Sequence, residues 1–150
     1  MPYIYSMILP FLTIAPSPSR GRGVFTTQPI AKGTTIEIAP VIVFDPTQRM
    51  KLEETLLYDY IFEWGEDDKS AAVALGYVSI YNHAIHANCR YDMDFEFETM
   101  SIITTRDIKQ GEELFVKINA MERSRNQPDD ESDGSFCLDL DIDEEEEEED

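Results

Sequence analysis

The segment Tyr77-Val-Ser-Ile-Tyr-Asn-His-Ala-Ile-His-Ala-Asn-Cys-Arg-Tyr91 carries the chain's densest set of groups capable of directional chemistry. Asn82 and Asn88 each bring a donor and an acceptor, His83 can act as either, and Tyr81 and Tyr91 add phenols. So many polar handles between two apolar segments point to a site more than to a core, although rich polarity is also compatible with a loop. A second chemistry is open to the same stretch. His83, His86 and Cys89 recur every third residue and Asp92 follows, a set that zinc accepts. That reading leaves Asn82, Asn88 and Tyr91 unexplained.

The flanking sequence predicts mostly strands. Met7 to Ala15 reads as a strand ended by Pro16-Ser-Pro18. Arg20-Gly-Arg-Gly-Val-Phe25 has two glycines around Arg22, which allow close backbone approach or a turn into a strand at Val24 to Thr26. Ile30 to Gly33 reads as a turn, and Thr34 to Phe44 as a β-branched, apolar strand pair interrupted by Pro40. Asp45-Pro46-Thr-Gln48 is a helix start, with an acidic cap, Pro at the first helical position and Gln three residues on. Leu52, Leu56, Leu57, Tyr60 and Ile61 then carry the helix to about Tyr60, with Phe62 to Gly65 closing it. The aromatics Tyr58, Tyr60, Phe62 and Trp64 read as core.

After the central stretch, Tyr91, Met93, Phe95 and Phe97 alternate with Asp92, Asp94, Glu96 and Glu98. Period two marks a strand with one buried and one wet face. Met100 to Thr105 pairs back on it, Arg106 to Gly111 turns, and Glu112 to Ile118 forms the last strand. The fold class is mainly β with one short helix.

Length and charge bound the function. A chain of 150 residues favours one domain with a modest core. The net charge of −19 is unevenly spread, because Asp129 to Asp150 holds 14 of the 31 acids and no base. The other 17 acids face 12 basic residues, about −5 over residues 1–128. Direct nucleic-acid binding is disfavoured, since phosphate contacts need Lys and Arg, and a basic protein is the natural partner. From about Arg123 onward nothing can bury a core, so 121–150 is expected to be a disordered acidic tail. The two cysteines, Cys89 and Cys137, form no disulfide framework and fit a reducing intracellular compartment. No basic run selects nucleus over cytoplasm. Met1 to Ala15 lacks a basic leader and is too short to span a bilayer, so no membrane association is expected. No feature bears on oligomeric state.

Three segments in fixed order carry a resemblance. Gly21-Arg22-Gly23-Val24-Phe25, Asn82-His83-x4-Asn88-Cys89-x-Tyr91 and Arg106-Asp-Ile-x-x-Gly111-Glu-Glu-Leu114 resemble the SET domain of protein-lysine methyltransferases, and Ile30-x-Lys-Gly33-x-x-Ile36-Glu37 is similar to a turn of that family. The resemblance assigns residues 7–120 to the domain. It implies small twisted sheets around a knot-like core, with the last strand threaded beneath a loop made by the middle motif. It implies the cofactor S-adenosylmethionine and a basic protein substrate, a histone or ribosomal-type protein. By position, the backbone around Arg22 and Gly23 would hold the methionine part of the cofactor. Asn82 and His83 would contact its amino-acid portion and adenine, and Tyr91 would line the lysine channel. No metal is implied, and the zinc-binding segment that often follows such domains is absent from the sequence.

One departure divides two readings. Four residues after Leu114 the family usually has a tyrosine closely tied to catalysis, and here stands Ile118. No tyrosine follows Tyr91, so Tyr77 or Tyr81 would have to supply a hydroxyl. Otherwise the domain is catalytically impaired and serves as a protein-interaction module. Ala84 and Ala87 also stand where the family commonly has Ser and Pro.

Overall fold

The structure, a computed structural model, describes residues 3–18 and 20–117. Among these, ten strands and one short helix alternate: β1 (Met7–Ile8), β2 (Leu12–Ser17), β3 (Gly21–Thr26), β4 (Thr35–Phe44), α1 (Pro46–Leu52), β5 (Ile61–Trp64), β6 (Ser70–Ala74), β7 (Asn82–Ala84), β8 (Cys89–Asp94), β9 (Thr99–Thr104) and β10 (Glu113–Lys117). The strands join in the order β2-β3-β10-β8-β9-β4-β6-β5, with β1 on β4 and β7 on β10. The mainly β expectation holds. Ile118 and the acidic tail lie outside the described residues.

The last strand is the hub. β10 runs antiparallel to β3 through Leu114↔Val24, and parallel to both β7, through Val116↔His83, and β8, through Val116↔Cys89. Two segments of the central stretch therefore flank one strand from the chain's other end. Leu114 and Val116 are fully buried beside Val24, Ile36, Met100 and Ile102, so the core lies directly beneath this junction.

Five local expectations need correction. The helix stops at Leu52 rather than Tyr60. Its capping box forms as read, with Asp45 Oδ1 accepting from Gln48 N (2.8 Å) and Gln48 Oε1 accepting from Asp45 N (3.0 Å). But α1 buries no residue, and Glu53 and Glu54 place acids at its negative end. Thr55 then caps a separate 3-10 turn over Leu56–Asp59. Arg49 pairs with Glu53 at the helix's own C-terminus and holds α1 down through Glu63 and the carbonyls of Asp68 and Ser70. Second, Phe62 to Trp64 does not close a helix but belongs to β5, where both aromatics are buried; Tyr60, expected in the core, is exposed. Third, the N-terminal strand is broken into β1 and β2 by a turn in which Leu12 N donates to Leu9 O (3.2 Å).

Fourth, the alternating strand ends at Asp94, because Asp94 Oδ1 accepts from Phe97 N (2.9 Å) and Glu98 adopts φ 55°. Phe95 and Phe97 lie outside the strand and are exposed; Phe95 meets Trp64 edge-on and Phe97 stacks on Tyr3. Fifth, Pro40 does not divide a strand pair, because β4 runs unbroken through it. Its carbonyl accepts from Leu75 N, so its missing N–H faces the same edge, between Met7, where β1 begins, and Ala74, where β6 ends.

Candidate functional site

The site grows out of the β3–β10–β7 junction. Gly21 takes φ 75° at the turn into β3, a conformation in which a side chain is strained. Gly23 follows on a buried stretch, where a Cβ would sit 2.2 Å from Glu113 Oε2 and 3.0 Å from Asn82 Nδ2. Bare backbone there lets three strands close on one polar cluster. Asn82 Nδ2 donates to Arg22 O (2.9 Å) and to Glu113 Oε2 (2.7 Å), and Ser17 Oγ donates to Glu113 Oε1 (2.8 Å). Both amide protons of Asn82 are thus used, which leaves its Oδ1 as an acceptor. Arg20 Nη1 donates to His83 O (2.7 Å), and its guanidinium lies 5.3 Å from the Phe115 ring centre. Arg22 is exposed.

Arg22, Gly23, Asn82 and His83 therefore do come together, across two strands joined by β10. Sequence reasoning missed Ser17, Arg20 and Glu113 as parts of the cluster, although Glu113 sits in a motif already singled out. Asn88, expected only as a motif residue, is 2 % exposed and clamps β10 through both ends of its amide.

The tyrosines have different environments. Tyr81 is buried and donates its hydroxyl to Glu37 Oε1 (2.8 Å). Burial and the Glu37 carboxylate hold that phenol well above its ordinary pKa of 10.0. Tyr77 is half-buried, and its backbone N–H donates to Glu37 Oε2 (2.7 Å). Tyr91 is half-buried on β8, with its ring edge-on to Phe62 at 5.7 Å. Glu37 itself was not foreseen. It is fully buried, and desolvation raises its pKa against the lowering effect of its two donors. Cys89 is a buried free thiol pushed up to about 12 by burial. His86 is exposed, and among the described residues no group of three or more His, Cys, Asp and Glu side chains is placed to hold a metal ion.

The last described strand, flanked in parallel by both halves of an Asn-His…Asn-Cys segment and closed by a glycine-rich strand, is the arrangement expected of a SET-type domain. The chain belongs to the SET-domain family, whose model matches residues 21–119. It is 33% identical over 131 residues to the histone-lysine N-methyltransferase, H3 lysine-37 specific, of Schizosaccharomyces pombe, covering 81% of this chain and 88% of that protein. Among solved structures it resembles a candidate histone methyltransferase of Plasmodium falciparum, at TM-score 0.58 and 23% identity over 75% of this chain and 96% of the other. It also resembles a humanized mutant of the Chaetomium thermophilum Polycomb Repressive Complex 2, at TM-score 0.63 and 18% identity, over 75% of this chain and 15% of the other. At these identities the two structures speak to fold alone.

Proposed function

We propose that the chain is an S-adenosylmethionine-dependent protein-lysine N-methyltransferase that acts on a basic protein of histone type. The observation that carries this reading is the Gly23–Asn82–Glu113 cluster at the β3–β10–β7 junction, in a chain related to a histone-lysine methyltransferase.

The donor set suits a zwitterion. Asn82 Oδ1 and the Glu113 carboxylate are acceptors for an ammonium, beside the Arg22–Gly23 backbone. Arg22 and Gly23 would hold the methionine portion, and Asn82 and His83 its amino-acid end and the adenine. When bound, the sulfonium supplies an already activated methyl group, so the protein's task is to position a neutral amine. Tyr91 lines the proposed lysine channel, where an apolar aromatic wall favours the neutral amine over ammonium by desolvation. Tyr77 or Tyr81 supplies a hydroxyl. The Tyr81 O–H already donates to Glu37, so that phenol can act only through its oxygen lone pairs, and Tyr77 is the first to substitute. The acidic sequence of the domain and tail, and a buried free thiol, fit an intracellular enzyme with a cationic partner.

The residue Ile118 favours a second reading, a catalytically impaired domain that retains partner binding. Loss of a positioning hydroxyl costs on the order of a hundredfold in rate, a loss that need not be complete. Calorimetric titration with S-adenosylmethionine tests the first reading. It expects binding by the wild type and a loss of at least about tenfold in Asn82→Ala, equivalent to 1.4 kcal/mol. No binding by the wild type would rule out the methyltransferase and leave the interaction module, whose partner binding survives His83→Ala.

A further inference from the structure

A strand of apolar residues, Thr35-Ile-Glu-Ile-Ala-Pro-Val-Ile-Val-Phe44, contains one acid, and the fold buries it completely. Each oxygen of Glu37 receives one donor, Tyr77 N at 2.7 Å on Oε2 and Tyr81 OH at 2.8 Å on Oε1. No cation pairs with it among the described residues. A buried carboxyl with two hydrogen bonds and no counter-ion is costly, and apolar side chains of similar volume commonly match or exceed the stability of such groups. Stability alone is thus a poor account of it.

The chain around the carboxyl is shaped to receive it. Gly76 adopts φ 76°, and a Cβ there would stand 2.4 Å from Glu37 Oε2. Ile80 N donates to Tyr77 O (2.7 Å), so residues 76–81 wrap around the carboxyl as a compact turn. That turn leads directly into β7, which has only three residues, none of them buried. A strand this short cannot hold its own register. Its far side is pinned by Asn88 on β10. Its near side is pinned by Tyr77 and Tyr81 on Glu37.

We infer that Glu37 is a positioning residue for the cofactor site, holding the Gly76–Tyr81 turn against β4 and so setting where Asn82 and His83 stand. This rests on the methyltransferase reading only for the role of Asn82 and His83.

Two variants test it. Glu37→Gln keeps the shape but accepts through one oxygen only. Glu37→Met keeps length and apolar packing and removes both acceptors, so it should remain folded. In steady-state methyl transfer to core histones, both should raise KM for S-adenosylmethionine about tenfold, equivalent to 1.4 kcal/mol. KM for the histone should stay within about twofold by the same scale. A purely structural role would scale kcat with the folded fraction and leave both KM values unmoved, and that result would overturn the inference. Amide hydrogen exchange on the same proteins decides the matter even if the wild type transfers no methyl group. Faster exchange at Asn82–Ala84 with unchanged β2–β3 supports positioning, whereas unchanged exchange at Asn82–Ala84 refutes it. Absent transfer with loosened β7 would count against the methyltransferase reading alone.

Discussion

Asn88 holds Phe115 in place of a neighbouring strand: its Oδ1 accepts from Phe115 N (2.8 Å) while its Nδ2 donates to Glu113 O (2.9 Å). One side chain thus satisfies two backbone groups of β10 and pins the strand on which the whole site is built. Asn88→Ala would leave both part-buried groups without this partner. The expected cost is about 3 kcal/mol, summing 1–3 for each group. Chemical denaturation of the two proteins reads it directly, and a change below about 1 kcal/mol would show that β10 does not depend on this clamp.

Gly23→Ala should separate function from stability. The added methyl meets the movable end of the Glu113 side chain, so the fold can yield, but only by breaking the Asn82–Glu113 hydrogen bond. Affinity for S-adenosylmethionine should fall at least about tenfold. The melting temperature should fall by less than about 5 °C, a change of roughly 1 kcal/mol. Unaltered affinity would show that the cluster is not the cofactor site.

The buried Glu37 predicts a pH signature. Desolvation lifts its folded pKa above the ordinary 4.5, against donors from Tyr77 and Tyr81. A raised folded value contributes stability that is full below the unfolded pKa and is lost as pH rises through the folded one. The stability of wild type relative to Glu37→Gln should therefore be greatest in acid and decline as pH climbs above 4.5. Thermal melts of both proteins across acidic and neutral pH give this difference, and a difference that grows with pH would contradict the desolvated carboxyl.

Cys89 should be chemically silent in the folded protein. It is 1% exposed, and burial pushes its thiol up to about 12, so little thiolate forms at neutral pH. Mass spectrometry of the Cys89 peptide after iodoacetamide treatment should show alkylation only once denaturant is added.

The main outline was readable because its signals are local. The Asp45–Gln48 capping box and the Met100–Thr105 return strand are written in short stretches, and both formed. The set Arg22, Gly23, Asn82 and His83 was readable through family motifs, and β10 brings it together. What escaped depends on distant partners. The helix ended early because α1 found no face to bury, which no periodicity reveals. Phe95 and Phe97 fit a strand pattern, but Asp94 turned the chain before them and Tyr3, from the other end, stacked on Phe97. Glu37 left two traces, a lone acid in an apolar strand and the last place of the Ile30–Glu37 motif, and its meaning appears only once Gly76 and Tyr81 fold around it.

The central claim is tested most directly by transfer of labelled methyl from S-adenosylmethionine to core histones, with wild type, His83→Ala and Ile118→Tyr run side by side. Incorporation is expected by the wild type, abolished in His83→Ala and increased in Ile118→Tyr. No incorporation by either wild type or Ile118→Tyr would contradict it.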